Sequence, residues 1–534
     1  MTETDCIEHI PFKNTGYFTK TMLDYLAKDA KILPFYNNFP NLEGFKSQIE
    51  EKKLSVLSQS RAILVESLKK QYKNSAISDL TQRNIELLAL NNTFTVTTGH
   101  QLNLFTGPLY FLYKILSVIN LCEELSVKFP KENFVPIYWM ATEDHDFEEI
   151  NFFNFKDVKF RWNTNQNGAV GRFSTEGLEE VLAVFSAKLG DSKRANELKE
   201  LFSQGYTKHN NLAEATQYIA NELFGKYGIV IIDADTADLK RPFLPFVKDE
   251  LLNQTSYNEV SKTNLEFEKN YKIQVNPREI NLFYLTDNQR ERIVFEEGVY
   301  QINNTEITFS EAEILEELEN YPERFSPNVL MRPLYQEVIL PNLSYVGGGG
   351  EIAYWLQLKS YFEKVKVPFP ILLLRNSVQV ISEKQSKKLE KLDISLEEIF
   401  LKQNDLLTKK VNENSEVSVD FGQQKEFLKQ QFSDLKVIAK KTDVSFVGAV
   451  NAQEKKQIKG LENLEKRLLR AEKRKQNDLV QRITDLQNQL FPNQSLEERQ
   501  RNFSEYYLEY GNDFVQQLKD NLKPLQLEFM VLKM

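Results

Sequence analysis

At 534 residues the chain exceeds one compact core, since domains usually span about 100–200 residues, so two or three units are expected. Hydrophobic residues at 41% and charged residues at 27% exclude global disorder, and the net charge of −9 argues against a nucleic-acid partner, whose phosphates need a basic surface. Two cysteines, Cys6 and Cys122, cannot build a disulfide framework and fit a reducing compartment. No stretch reaches the ~18 apolar residues of a membrane span. The acidic start MTETDCIEHIPF lacks a signal peptide's basic and apolar layout, so a cytoplasmic protein is expected.

Helical spacing runs from about Leu42 to Leu90. Thr93–Thr97 then reads as a strand, followed by a turn at Gly99. Gly107-Pro108 opens an apolar helix to about Leu125, because proline suits a first helical turn. VPIYWMAT, from Val135, is continuously apolar, as in a strand covered on both faces, and ends in EDHDFEE. Two similar runs, Gly228–Ile232 and Pro370–Leu374, end in Asp233-Ala234-Asp235 and Arg375-Asn376-Ser377. Strands separated by helices predict an α/β core with a parallel sheet over residues 1–382. Segments at about 152–205 and 260–330 break the alternation and read as insertions; 280–310 alternates like an antiparallel meander.

Beyond Ser382, glycine and proline nearly vanish, and a C-terminal helical coiled-coil domain is expected over 383–534. Apolar residues three and four apart predict one helix from Ala452 to Leu490, ~60 Å long at ~1.5 Å per residue, with a stutter around Lys475. A helix that long needs a partner, either the helical stretches near 383–410 and 424–441 or a second chain. The tail LQLEFMVLKM alternates and predicts a returning strand.

Ligands of open α/β sheets bind beyond the carboxyl ends of strands, so the residues after each strand are the candidates. Two of the four histidines fall there, and histidine exchanges protons near neutral pH. Glu143, Asp144, His145 and Asp146 form the candidate catalytic set, as general acid/base or cation site. In extended backbone, Asp144 and Asp146 face away from Glu143 and His145, so all four reach one cleft only if the segment turns. The plain alternative is a charged helix start with its carboxylates near N–H groups. Gly99, His100, Gln101, Lys114, Arg375 and Asn376 are candidate substrate contacts. Gly347, Gly348, Gly349 and Gly350 allow close backbone approach to a ligand. Glu351 after them repels phosphate and suits a substrate amine or the helix dipole. No HExxH or CxxC spacing occurs, so no metal is assigned, and no GK[ST] follows the glycines.

Four blocks in this order span most of the chain: TTGHQLNLFTGPLYFLYK (97–114), VPIYWMATEDHDFEEIN (135–151), RPLYQEVILPNLSYVGGGGEIAYWLQL (332–358) and LEERQRNFSEYYLEYG (496–511). In these the chain resembles the bacillithiol-synthesis cysteine-adding enzymes, the BshC family. His100 stands where that family usually has glutamine, which places it on the pocket wall. The resemblance implies a Rossmann-like core with two inserted connecting segments and a coiled coil that forms a homodimer. It implies a cysteine ligase that joins L-cysteine to glucosaminyl-malate, the last step to the low-molecular-weight thiol bacillithiol. Amide formation requires an activated carboxylate, which makes ATP (released as ADP or AMP), with magnesium, the candidate co-reactant. On this reading His145 with Asp144 or Asp146 handles the amine proton, while Arg375 and Lys114 neutralise anionic charge. Two alternatives stay open: a non-catalytic coiled-coil assembly protein with a nucleotide-binding core, and a class I-like nucleotidyltransferase on another substrate. The second rests on Thr98–Gln101 and on Lys384-Gln385-Ser386-Lys387-Lys388.

Overall fold

The computed structural model describes residues 7–55, 58–442 and 444–534; Cys6 lies outside them. Five strands form the central sheet: β1 (Thr93–His100), β2 (Asn133–Met140), β3 (Val230–Asp233), β4 (Asn342–Gly347) and β5 (Ile371–Leu374). Every pairing is parallel and the order is 3-2-1-4-5. The chain starts in the middle, winds outward through β2 and β3, then returns to the other side of β1. A crevice opens beyond the carboxyl ends where the winding reverses, between β1 and β4.

Alternation along the strands fills both faces of the sheet. Phe94, Val96, Val346, Ile371 and Leu373 pack on one side with Phe45, Val118 and Cys122. Val135, Ile137, Tyr345, Leu372 and Leu374 join the larger core on the other. Burial pushes the Cys122 thiol well above its ordinary pKa, which leaves it an inert packing group. Helix α1 (Tyr110–Lys128) follows β1 as the sequence predicts, three residues longer at its end. Gly107 turns the chain into it at φ +63, where a Cβ would lie 2.5 Å from Asn103 Cβ.

Between β2 and β3 stand a hairpin (Phe152–Phe155 with Val158–Arg161) and four α-helices, the longest of them α2 (Lys193–Thr207). Between β3 and β4 the expected meander is a five-stranded antiparallel sheet of Leu282–Leu285, Arg290–Glu296, Val299–Ile302, Thr308–Phe309 and Phe325–Pro327. Strand Phe529–Lys533 lies between Ile7–Ile10 and Val378–Ile381, so the chain's two ends meet in one small sheet.

The long C-terminal helix differs from expectation. It is two helices, α4 (Val444–Lys475) and α5 (Asn477–Leu490), separated by Gln476 at φ −99, ψ 32. The break falls at the stutter. It rotates the apolar face, so Ile483, Leu486 and Leu490 of α5 join the main core while α4 projects. Helix α4 pairs within the chain with α3 (Gly422–Ala439). Lys425–Glu465 at 2.7 Å and Lys436–Glu454 tie the two together antiparallel, around Phe432, Ala439 and Val450. Among the described residues no helix is long and apolar enough to cross a membrane.

Candidate active site

A cavity of about 710 Å³ opens at the carboxyl edge of the sheet, over the β1–β4 crevice. Of the sequence-predicted residues it is lined by Gly99, His100, Gln101, Lys114, Glu143, Asp144, His145, Asp146, Gly348, Gly350, Glu351 and Arg375. Gly347, Gly349 and Asn376 are not among its walls. Gly347 ends β4, and Gly349 backs onto Met22, whose Cγ would lie 3.0 Å from a Cβ there. Asn376 is structural: Ser117 Oγ donates to its Oδ1 at 3.0 Å, and its Nδ2 donates to the Lys523 carbonyl at 3.1 Å. Lys384–Lys388 sit in the helix Glu383–Lys391, outside the cavity walls.

The floor is an ion-pair cluster. Lys114, one turn after Tyr110 on α1, donates to the Gly99 carbonyl at 2.7 Å and to Glu351 at 2.8 Å. Tyr345 OH and the Gly348 N–H donate to the same carboxylate at 2.8 and 2.7 Å. Glu351 is therefore the cap of the short helix Gly349–Trp355, and its oxygens are engaged within the protein rather than by a substrate amine. Burial raises the Glu351 pKa, but the Lys114 ammonium and these donors outweigh it, and the carboxyl stays below its usual range. Burial lowers Lys114, with Glu351 opposing.

Arg375 corrects a second expectation. Glu498, from the C-terminal region, accepts from both of its Nη atoms at 3.0 and 2.7 Å. Its charge is already met, and it offers substrate little net neutralisation.

The acidic wall does turn. The Asp144 N–H donates to Ala141 O at 3.2 Å, the Val170 N–H to Asp144 O at 2.7 Å, and Phe147–Ile150 form a helical turn. All four residues from Glu143 to Asp146 thus reach one cavity. Glu143 pairs with buried Lys240; burial raises its pKa, with Asp235 adding and Lys240 opposing. Gln101 Nε2 donates to Asp144 Oδ2 at 3.0 Å. His145 Nδ1 accepts from Arg290 Nη1 at 2.8 Å, because arginine only donates. The ring proton consequently sits on Nε2, 4.0 Å from Asp146 Oδ1. Burial raises the Asp146 carboxyl, and Asp144 adds to the shift. Asp144, His145 and Asp146 each offer a ligand atom within 4.8 Å of the others. The two carboxylates suit magnesium, a hard cation, better than the nitrogen already held by Arg290.

The residues that sequence reasoning missed are mostly arginines. Arg278, Arg290, Arg292, Arg332 and Arg499 line the cavity, and among the described residues none has a carboxylate within 4.0 Å. Arg290 instead donates to Ser326 Oγ at 3.0 Å and the Pro327 carbonyl at 3.1 Å, above the Phe283 ring. Arg332 lies between Trp139 and Tyr345, 5.6 and 5.5 Å from the ring centres. Arg290 and Arg292 carry a readable signal, since residues two apart on a strand share a face. Arg332 and Arg499 come from distant segments but stand in two of the blocks that carry the family resemblance, 332–358 and 496–511, which is the signal that could have found them.

The sheet order and the placement of the cavity define a Rossmann-like α/β protein with its ligand site at the topological switch point. Comparison with known proteins is more specific, and the chain belongs to the BshC family. Residues 6–376 match the model of the bacillithiol biosynthesis BshC N-terminal Rossmann-like domain, and residues 378–534 that of the C-terminal coiled-coil domain. A Flavobacterium johnsoniae relative is 59% identical over 529 residues, one from Flavobacterium psychrophilum 58% over 531, and one from Christiangramia forsetii 54% over 534; in each case 99% of both chains is covered. All three bear the name "Putative cysteine ligase BshC". The ligase reading is supported; the assembly-protein and nucleotidyltransferase alternatives are not.

Proposed function

We propose that this chain joins L-cysteine to glucosaminyl-malate in the last step of bacillithiol synthesis, in the cytoplasm, through an amide between the cysteine carboxyl and the sugar amine. The observation that carries the reading is the set of five guanidiniums without carboxylate partners in one cavity, in a chain of net charge −9. Such a site fits a substrate with several carboxylates, because a guanidinium fork matches a carboxylate bidentately. The malate half supplies two of them and cysteine a third.

Activation of the cysteine carboxylate by ATP supplies the leaving group that an amine cannot otherwise displace. Magnesium arriving with the nucleotide would be held by Asp144, since one carboxylate suffices and Asp146 stays uncoordinated. Phosphate charge would meet Arg278, Arg292, Arg332 or Arg499 rather than Arg290, which His145, Ser326 and Pro327 engage, or the Gly348 N–H, which Glu351 occupies. With its proton on Nε2, His145 is a donor in this arrangement. The amine proton then passes to Asp146, whose raised pKa makes it the better base of the wall.

The purified chain, given cysteine, glucosaminyl-malate and ATP, is expected to make the thiol together with stoichiometric AMP or ADP. Product without nucleotide turnover would refute the ATP step. No product under any nucleotide, with no loss of bacillithiol in cells lacking the protein, would refute the whole reading.

We further propose that the α3–α4 hairpin docks on a second copy. Phe427 and Val444 are 71% and 89% exposed on it, and Ile438 and Leu464 also face solvent. Sedimentation should show a dimer that Phe427→Glu dissociates.

A further inference from the structure

We infer that a second, small chamber behind the β1–β2 wall binds one ordered water, and that this water is the hydrogen-bond partner of His100 Nε2. The chamber measures about 10 Å³ to a water's centre, room for a single molecule. His100 Nε2, Asn103 Oδ1 and the hydroxyls of Thr106, Tyr138 and Thr216 belong to residues that line it. All five atoms are buried and find no hydrogen-bond partner among the described residues, so they do not bond to one another. Each residue is more than nine-tenths buried. Buried polar atoms are nearly always paired, and five orphans around one space call for a shared partner, which as a single water meets up to four of them.

The chemistry of the five selects that partner. Asn103 Oδ1 only accepts, and the three hydroxyls donate or accept. The Thr106 carbonyl holds a ring proton of His100, which leaves Nε2 a bare acceptor. A water donates to Nε2 and to Asn103 Oδ1 and accepts from the Tyr138 and Thr216 hydroxyls, within the two to four bonds such waters make. An anion would meet two bare acceptors. A cation would find no carboxylate among the residues that line the chamber.

His100 and Gln101 line both this chamber and the active-site cavity. The water therefore pins the His100 ring, in the tautomer that the Thr106 carbonyl selects, against the residues of this chamber. His100 is a positioning residue, beside the Gln101 that holds Asp144.

The test is a high-resolution crystal structure of the full chain, with 15N NMR of the histidine side chains assigned through His100→Gln. One ordered water within bonding distance of His100 Nε2, and a neutral Nδ1–H signal for His100, are expected. Thr216→Ile, which fills the chamber, should lose the water and shift the His100 Nε2 resonance; Thr216→Val, which keeps the volume, should weaken the site. A dry chamber, a direct His100–Tyr138 or His100–Thr216 bond, or an Nε2–H tautomer in the wild-type chain would each overturn the inference.

Discussion

Glu498→Ala tests whether the cavity wall depends on a residue more than a hundred positions away in the chain. Arg375 and Glu498 are shut from water, with 4% and 1% of their side-chain surfaces exposed. Truncation leaves the guanidinium with only the Asn376 carbonyl at 2.9 Å and Ser377 Oγ at 3.2 Å. Breaking a buried pair on one side costs about 3–5 kcal/mol, against about 0–1 kcal/mol for an exposed pair. Because two neutral acceptors remain, the lower end, about 3 kcal/mol, is expected. Arg375→Met combined with Glu498→Leu removes both charges and should return stability to within about 1 kcal/mol of wild type. Urea unfolding followed by circular dichroism, run as a double-mutant cycle, measures the coupling. A coupling below about 1 kcal/mol would place the pair with ordinary surface bridges and refute the reasoning.

Burial is the main cause that raises Glu497 to about 7, against Arg501, a hydrogen bond from Tyr506 and the Val380 N–H at 2.5 Å. The native state thus binds this proton more tightly than the unfolded chain. Stability falls as pH rises from about 4.5 to about 7, by about 3 kcal/mol in total. Glu497→Gln should flatten that slope in urea titrations across the same window; an unchanged slope would exonerate Glu497. Arg290→Ala removes the donor that fixes His145 and should lower kcat/KM by about 10–100-fold, the worth of a charge-assisted hydrogen bond. Arg290→Lys should not restore it, because an ammonium lacks the fork that also reaches Ser326 and Pro327. Asp146→Asn should cut kcat by about 10²–10⁴-fold with the unfolding curve unchanged; retained activity would move the base elsewhere.

The strands that the sequence announces are those whose apolar runs are unbroken. Val135–Met140 and Ile371–Leu374 owe that clarity to being covered on both faces. Strand β4 escaped because Asn342 and Ser344 interrupt its pattern. Those polar groups are tolerated since Thr97 donates to Asn342 Oδ1 at 2.8 Å and Ser344 donates to the Ile371 carbonyl at 3.0 Å. It is β4 that sets the switch point, so the crevice could not be placed from the strand list alone. The site divides the same way. Residues at or just past a strand's end, from Gly99 to Gln101 and from Glu143 to Asp146, were readable because strand ends are where such sheets bind ligands, although β1 runs on through Gly99 to His100 where a turn at Gly99 was expected. Their partners were not: Arg290 reaches His145 from an inserted meander, and Glu498 reaches Arg375 from beyond the coiled coil. Local pattern places a group in the cavity, but long-range pairing decides whether its charge is free. That is why the cations named from the sequence, Lys114 and Arg375, are already neutralised by Glu351 and Glu498, while the unpaired ones lie on segments the strand-end rule does not reach.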